Sequence, residues 1–306
     1  MDEQHWLTER FEENRPLLRQ VAYRMLGSMS EVEDAVQETW LRLSRIDAAT
    51  VENLSGWLTT VVSRVCLDML RSRKSRREQP LDAQVAERNA AHRQGADPES
   101  EALLADSVGV ALLVVLDTLT PAERLAFVLH DLFAMPFDEI GRILGRSTAA
   151  AKQIASRARR HVRGSPEPTH AGRTRRQRQV VEAFMKAVRA GDVEALLAVL
   201  DPDAVVRIDA AARFDGVVRR DAPEAEAGQP RELRGASTWA TTFIALSRGL
   251  ERFAQPVLID GSVGLILAPR GHLVRALIFT FDDDKVTRLE TIGDPARLRD
   301  LDIAVL

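Results

Sequence analysis

The sequence of 306 residues predicts a multidomain chain, with two all-helical modules followed by an α+β domain. Through the first half, apolar residues recur at the three- and four-residue spacing of amphipathic helices, without a strand pattern. Beyond residue 200 the pattern changes to short apolar runs bounded by turns, which is typical of strands. Helices and strands in separate blocks favour an α+β arrangement for the end of the chain.

The N-terminal third predicts three helices. The first contains Leu17 and ends at Gly27, and Ser30 with Glu33 predicts a capping box for the second. A third helix begins near Gly56 and runs into a cluster of arginines. The second helix has an outward face that mixes acid and amide groups with one leucine: Asp34, Gln37, Glu38, Leu41 and Arg42.

Residues 137–163 predict two helices joined by a tight turn. Gly145 supplies the permissive backbone of the turn, and Ser147 follows as the N-cap of the second helix. In that helix Ile154 and Ala158 form an inward pair, and polar and basic residues cover the rest. The pattern indicates a DNA-binding helix-turn-helix, with a plain helical hairpin that has a solvated basic face as the alternative.

The last third predicts two helices and then a curved antiparallel sheet. The first helix ends at Gly191, and Asp192 caps the second. The predicted strands are Ala204–Asp209, Gln255–Ile259, Val263–Ala268, Val274–Phe281 and Val286–Ile292.

The charge of the chain argues against a free-standing DNA-binding protein. The formal net charge is −3, and residues 1–164 contain 22 basic against 24 acidic residues. Positive charge is local, in clusters at 71–77, 157–163 and 173–178. Because affinity for DNA scales with the number of phosphates neutralised, we expect weak DNA binding by the chain alone and a need for a protein partner.

Composition excludes several other classes of protein. The single cysteine, Cys66, permits neither an intrachain disulfide nor a cysteine cluster for zinc, and its apolar neighbours predict a buried structural thiol. The first ten residues have no apolar core, and no run of 18 apolar residues occurs. We therefore expect a cytoplasmic protein without a signal peptide, membrane span, metal or cofactor.

Three segments of the first half resemble the extracytoplasmic-function (group 4) sigma factors of bacterial RNA polymerase. They are EDAVQETWLRL at Glu33–Leu43, GWLTTVVSRVCLDMLRSRKSRR at Gly56–Arg77 and LTPAERLAFVLHDLFAMPFDEIGRILGRSTAAAKQIASRARRHV at Leu119–Val162. The resemblance implies a sigma factor that directs polymerase core to specific promoters and initiates transcription. It implies sigma region 2, a helical bundle, at residues 1–78, a linker at 79–103 and sigma region 4, a helix-turn-helix, at 104–163.

The resemblance also implies a role for each surface. The outward face of the second helix docks on the β′ clamp helices of polymerase, and region 4 is placed at the β flap. The residues implied for the minus-ten element of promoter DNA are Asn53, Thr60, Ser63, Arg64, Arg71, Arg73 and Lys74. Those implied for the minus-thirty-five element are Thr148, Lys152, Gln153, Ser156, Arg157, Arg159 and Arg160. The first three lie early enough in the recognition helix to reach bases, and the others are expected at phosphates.

The tail resembles the SnoaL-like branch of the nuclear-transport-factor-2-like cone fold, as fused to sigma factors of the sigma-J type. The likeness is carried by VVEAFMKAVRAGDVEALLAVLDPDAVVRID at Val180–Asp209 and by DPARLRDLDIAVL at Asp294–Leu306. It implies a linker at 164–176 and a regulatory domain at 177–306 that folds back on the sigma modules. Related fusions have a glycine-rich DGGGR-like motif where this chain has Asp209, three alanines and Arg213.

Two alternative functions stay open at this point. A helix-turn-helix transcriptional regulator would need no polymerase-docking face, so the near-neutral charge and the helix at 33–43 favour a sigma factor over it. An enzyme of the cone fold attached to a DNA-binding arm would need acid or base groups, but no two of the candidates sit at a spacing that fixes their geometry. These candidates are Asp209, Asp215, His272 and Glu290. We therefore expect no catalytic residue, and a small apolar ligand in the cone rests on fold analogy alone.

Overall fold

The computed structural model of the chain describes residues 3–46, 51–78, 109–164, 171–209 and 231–306. Two compact units are present. One contains Met1–Gly109 and Leu116–Arg159, and the other contains Val110–Val115 and Arg160–Leu306.

Three long helices form the first part of the N-terminal unit: α1 (Glu3–Leu26), α2 (Met29–Leu43) and α3 (Leu54–Glu78). They pack on one another through a shared apolar core, which includes Leu18, Val21, Met25, Val32, Val36, Leu58 and Val62. Gly27 ends α1 with a φ of 72°, as the sequence predicts. The predicted capping box is wrong, because α2 begins at Met29 and the carboxylate of Glu33 pairs with Arg19 at 2.8 Å.

Four shorter helices and a π-helical turn follow: α4 (Val110–Thr118), α5 (Pro121–Phe127), the turn at Val128–Leu132, α6 (Phe137–Leu144) and α7 (Thr148–Arg163). A capping box of Thr120 and Glu123 starts α5. The α6 and α7 bounds agree with the two helices predicted for residues 137–163.

A buried arginine connects these shorter helices to α1. Arg124 in α5 is 4% exposed. Its Nη1 donates to the carbonyl oxygen of Met25 at 2.8 Å, and its Nη2 donates to Oδ1 of Asp117 at 2.5 Å. A guanidinium removed from water needs such partners, since an uncompensated buried charge costs several kcal/mol. Arg124 thereby joins α1, α4 and α5 within the N-terminal unit.

Among its described residues beyond 170, the C-terminal unit has four α-helices and a seven-stranded sheet. The helices are α8 (Ala171–Ala190), α9 (Val193–Val199), α10 (Ala236–Ser247) and α11 (Pro295–Asp300). The strands are β1 (Leu200–Ile208), β2 (Arg231–Arg234), β3 (Ala254–Ile259), β4 (Ser262–Leu267), β5 (Arg275–Asp282), β6 (Lys285–Ile292) and β7 (Ile303–Val305). They lie in the order β2-β1-β6-β5-β4-β3-β7. This arrangement confirms an α+β domain after the helical modules.

The sheet differs from its prediction in pairing direction. Strands β1 and β6 are parallel, and the other described pairs are antiparallel. Parallel neighbours need a long connection, and β1 and β6 lie far apart in the chain. The sequence patterns also missed β2, β7 and α10. Of the predicted linkers, 79–103 lies outside the described residues, and α8 begins at Ala171, within the linker predicted at 164–176.

Aromatic side chains form the centre of this unit. The ring of Phe184 in α8 meets Phe279 of β5 edge-on, with centroids 5.1 Å apart, and Phe243 of α10 at 5.5 Å. Trp239 packs on Phe243, and its indole Nε1 donates to the carbonyl oxygen of Ala204 at 3.3 Å. The helices α8 and α10 are thus fixed against the same face of the sheet.

Within the described ranges, no helix is both long enough and apolar enough to cross a membrane. The longest helices, α1 and α3, have polar and charged residues throughout their length.

We expect the Cys66 thiol to be inert in the folded chain. It is fully buried, and burial together with the nearby charge of Glu31 raises its pKa far above the ordinary value. Because the thiolate is the reactive form, labelling by a disulfide reagent at pH 8 should be about 100-fold slower in native than in urea-unfolded protein. Equal rates in the two states would contradict this placement.

Replacement of the buried arginine should loosen the N-terminal unit. Arg124→Met leaves the Met25 carbonyl without its donor, and we expect a loss of about 2–4 kcal/mol in the opening free energy of α1 and α5. Native-state hydrogen exchange of peptides from these helices measures it in the full chain. The matched control is Arg142→Met, which removes the exposed pair with Asp138 and should change the free energy by less than about 1 kcal/mol. Equal effects of the two substitutions would show that Arg124 has no special role.

Candidate nucleic-acid interface

The turn between α6 and α7 is fixed by two glycines. A Cβ atom on Gly141 would lie 2.8 Å from the carbonyl oxygen of Arg146, so only glycine permits this close approach. Gly145 ends α6 in the left-handed region with a φ of 65°. The hydroxyl of Ser147 then accepts from the backbone N–H of Ala150 at 3.2 Å, as predicted for an N-cap.

One side of α7 is apolar and made mostly of small residues. Ala151, Ala155, Ala158 and Val162 are buried, whereas Ile154 is only half-buried. Of the predicted inward pair, Ala158 is therefore buried as expected, but Ile154 is only partly buried. Alanine side chains allow the backbone of α7 to lie close to the helices beneath it, and this position leaves the opposite side of the helix in solvent.

The solvent side of α7 contains the residues predicted to contact the minus-thirty-five element. At about 100° per residue they span about half of the helix circumference. Six of the seven are exposed: Thr148, Lys152, Gln153, Ser156, Arg157 and Arg160.

Arg159 is the exception in this set. Its side chain is 31% exposed, and its Nε donates to Oδ1 of Asp131 at 2.7 Å. Its guanidinium also lies 6.0 Å from the ring centroid of Phe137. Arg159 therefore orients α7 on the rest of the module, in addition to the positive charge that it adds to the surface.

Support for this contact comes from a histidine that the sequence did not single out. The ring of His130 stacks on Phe137 with centroids 3.8 Å apart, and its Nδ1 is 3.0 Å from the carbonyl oxygen of Met135. The adjacent residues His130 and Asp131 thus contact Phe137 and Arg159, respectively. No local spacing indicated this, because Asp131 and Arg159 are 28 residues apart.

The predicted polymerase-docking residues lie together on the solvent side of α2. Asp34, Gln37 and Leu41 are exposed, and Leu41, at 40%, is one of few large apolar side chains in solvent among the described residues. Glu38 and Arg42 are half-buried and paired, with Oε1 of Glu38 accepting from Nε of Arg42 at 2.9 Å. The surface therefore offers an apolar side chain surrounded by polar groups.

The predicted minus-ten residues are distributed along α3 and its start. Arg64 and Arg71 are exposed, and Thr60 is half-buried. The Oδ1 of Asn53 accepts from the backbone N–H of Gly56 at 3.0 Å, so its side chain caps α3.

Two predicted minus-ten residues need correction, and a third lies outside the described side chains. Ser63 is fully buried, and its hydroxyl donates to the carbonyl oxygen of Thr59 at 2.6 Å. It faces the helical core and cannot reach DNA. Arg73 forms an ion pair with Glu31 of α2, which ties its charge to the bundle. The side chain of Lys74 is not among those described.

Two of the candidate acid groups, Glu290 and Asp209, pair with the same arginine. Nη2 of Arg297 lies 2.8 Å from Oε1 of Glu290, and its Nη1 lies 3.4 Å from Oδ2 of Asp209. The hydrogen bond that Arg297 donates to Glu290 is the main cause of the raised pKa of Arg297. This cluster connects α11 to the sheet. His272 lies apart from it, in the turn before β5, and Asp215 is outside the described residues.

Two stretches of the chain match models of known families. Residues 10–76 match Sigma-70 region 2, and residues 109–162 match Sigma-70, region 4. The first stretch contains the α2 surface and most of α3. The second contains the whole α6–α7 unit up to Val162.

Similarity to individual proteins extends over nearly the whole chain. The chain is 36% identical over 303 residues to the ECF RNA polymerase sigma factor SigJ of Mycobacterium tuberculosis, which covers 93% of this chain and 91% of that protein. It is 34% identical over 290 residues to the probable ECF RNA polymerase sigma factor SigI of the same species, with 93% and 92% covered. The crystal structure of M. tuberculosis SigJ matches with a TM-score of 0.43 and 32% identity over 95% of this chain and 98% of that one. The sequence similarity therefore includes the C-terminal unit.

Proposed function

Because the chain belongs to the extracytoplasmic-function family of RNA polymerase sigma factors, we propose that its two helical modules divide promoter recognition between α3 and α7. As a sigma factor, the chain directs RNA polymerase core to promoters. The main observation in support of this proposal is that the two sides of α7 differ in burial. Its alanine side is buried, and six of seven predicted DNA contacts are exposed on the other side.

We assign recognition of the minus-thirty-five element to α7. Thr148, Lys152 and Gln153 lie in its first two turns, where the recognition helix of a helix-turn-helix reaches base edges. Ser156, Arg157 and Arg160 lie further along and are suited to phosphates. Arg159 acts mainly through its ion pair with Asp131, which sets the angle at which α7 leaves the module.

We assign recognition of the minus-ten element to the start and exposed side of α3. Arg64 and Arg71 supply cations for the backbone of the opened strand, and Thr60 and Asn53 supply hydrogen-bonding groups. Ser63 is not part of this set. Arg73, through its pair with Glu31, instead holds α3 to α2.

We assign docking on the polymerase to the solvent side of α2, against the β′ clamp helices, with region 4 at the β flap. Leu41 is the candidate anchor, because an exposed apolar side chain that becomes buried between polar neighbours contributes most at the centre of an interface. The formal net charge of −3 fits this division, since a chain with little net attraction for DNA depends on polymerase to bring it to a promoter.

We further propose that the C-terminal unit, starting at α8, regulates the sigma modules from within the same chain. Two observations support this role. The unit has a hydrophobic core of its own around Trp239 and Phe184, and the similarity to SigJ and SigI includes it.

Substitution on the two halves of α7 should separate base contacts from phosphate contacts. Lys152→Ala should reduce run-off transcription by holoenzyme at a promoter selected from a random library by about tenfold. Arg157→Ala should weaken binding to all promoter sequences by a similar factor. It should also lower the slope of log affinity against log salt concentration by about one.

Matched controls for this test are available in the chain. Lys186→Ala removes an exposed lysine of α8, and Ser63→Ala removes a buried hydroxyl; neither should change promoter selection. If Lys152→Ala behaves like Lys186→Ala, the assignment of base contacts to the start of α7 is wrong.

Removal of the C-terminal unit should change transcription by the sigma modules. A chain that ends at Gly164 and the full chain are compared in run-off assays with polymerase core, after circular dichroism shows that both are helical. We expect outputs that differ several-fold at equal concentration. Equal outputs would remove the regulatory role, and the absence of any promoter-specific transcript from both would contradict the promoter assignment.

A further inference from the structure

The first two turns of α8 contain a cluster of arginines that the proposed roles of α3 and α7 do not use. Four of the six residues at 173–178 are arginine, and no acidic residue occurs at 171–181. The sequence beyond α8 has the opposite balance, since residues 191–306 contain 14 basic against 19 acidic residues. The start of α8 is therefore a local concentration of positive charge in a chain whose formal net charge is −3.

All four side chains of this α8 arginine cluster are exposed: Arg173, Arg175, Arg176 and Arg178. Arg178 is paired, because its Nε donates to Oε1 of Glu182 at 2.8 Å. The other three have no carboxylate partner among the residues that the structure describes. Three guanidinium groups are therefore available to an anionic ligand.

The cluster does not stabilise the helix that contains it. Arg173 lies three residues before Arg176, and Arg175 lies three residues before Arg178, so each pair brings like charges together on the helix surface. The first turn contains no acidic residue, and cations near a helix N-terminus oppose the macrodipole. Helix stability thus provides no reason for the cluster, whereas an anion bound to it relieves the repulsion.

The cluster is held in a fixed position by the buried side of α8. Val181 and Phe184 lie in the core of the C-terminal unit. Gln177, which lies among the arginines in sequence, is only 9% exposed, and its Oε1 accepts from the backbone N–H of Val263 in β4 at 3.3 Å. This bond joins the arginine-rich turns to the sheet. A surface that is already ordered has less conformational entropy to lose when it binds a partner.

The surroundings of the cluster favour a phosphate backbone over a protein or a membrane. The other exposed residues at 172–182 are Gly172, Gln179 and Glu182. The centre of a protein interface needs large anchors such as aromatic side chains, and a helix that lies on a membrane inserts its apolar side. The apolar side of α8 is buried in the core. Cations without apolar neighbours are suited to nucleic-acid phosphates, for which charge supplies most of the affinity.

The chain length between α7 and α8 limits which DNA the cluster can contact. Seven residues separate Arg163, at the end of α7, from Ala171, at the start of α8. Eight steps of the chain span at most about 29 Å, which is the length of about eight or nine base pairs. With α7 at the minus-thirty-five element, DNA that flanks this element is within reach.

We propose that the α8 arginine cluster binds the phosphate backbone of double-stranded promoter DNA beside the minus-thirty-five element, without reading its sequence. Arg173, Arg175 and Arg176 provide the contacts. This inference rests on the proposed assignment of α7 to that element. It adds a direct DNA contact to the regulatory role proposed for the C-terminal unit.

The salt dependence of promoter binding by the holoenzyme tests the contact. The α8 triple variant, Arg173→Gln/Arg175→Gln/Arg176→Gln, removes three charges and retains good helix formers. We expect its affinity for a duplex of about 60 base pairs with the selected promoter to be about tenfold lower at about 0.1 M salt. The slope of log affinity against log salt concentration should fall by about two to three, because each phosphate contact contributes about 0.9. An unchanged slope would overturn the proposal.

A charge-matched control distinguishes a local contact from the loss of net charge. The control triple variant, Arg231→Gln/Arg234→Gln/Arg248→Gln, removes three exposed arginines from the same unit and should retain the affinity and slope of the unmodified chain. Equal effects of the two triple variants would contradict a contact at α8. Binding to polymerase core is measured for both. If the α8 triple variant binds core more weakly and its slope for DNA is unchanged, the partner of the cluster is polymerase and the DNA assignment is wrong.

Neutral methylphosphonate linkages test the location of the contact. They replace the phosphates of about nine base pairs on one side of the minus-thirty-five element, and then on the other. On one side they should weaken binding by the unmodified chain about tenfold and add little to the loss in the α8 triple variant, as expected for groups in contact. Equal losses for both proteins on both sides would overturn the location.

The same promoter duplexes separate this inference from the role proposed for α7. If Lys152→Ala weakens promoter binding and the α8 triple variant does not, only the contact at α8 is wrong. If Lys152→Ala has no effect and the α8 triple variant lowers the slope, the cluster binds DNA but its position relative to α7 is wrong.

Discussion

The close approach of Gly141 to the carbonyl oxygen of Arg146 is the constraint on which the arrangement of α6 and α7 depends. It brings the end of α6 against the start of α7, and so decides which side of α7 is buried. The alanines then fall inside and the polar residues outside. The ion pair of Arg159 with Asp131 holds the angle that this turn sets. The surface proposed to read DNA is thus positioned by a backbone contact within the protein.

Local patterns predicted several helix ends of the first half, because caps and turns depend on neighbouring residues, although the capping box predicted at Ser30 and Glu33 was wrong. Gly27, Gly145 and Ser147 have the roles that their positions indicate. Long-range contacts were not predictable in this way. The burial of Ser63 and the bond from Arg124 to the Met25 carbonyl, 99 residues away, depend on how the helices pack.

In the C-terminal unit the apolar strands were predictable and the less apolar ones were not. The β2 segment, Arg231–Arg234, contains one apolar residue in four, and β7 has only three residues. The direction of the β1–β6 pair and the register that places Arg275 opposite Leu267 follow from topology. For that reason local patterns predicted which of the longer segments are strands, but not the direction or register in which they pair.

The alanine side of α7 also limits which amino-acid substitutions this helix tolerates during evolution. Ala151, Ala155 and Ala158 leave no room for larger side chains, so drift at these positions is penalised through folding. The exposed positions of the same helix carry no comparable packing cost. Under the proposed assignment, exchanges at these exposed positions change the contacts with DNA without disturbing the packing of the helix.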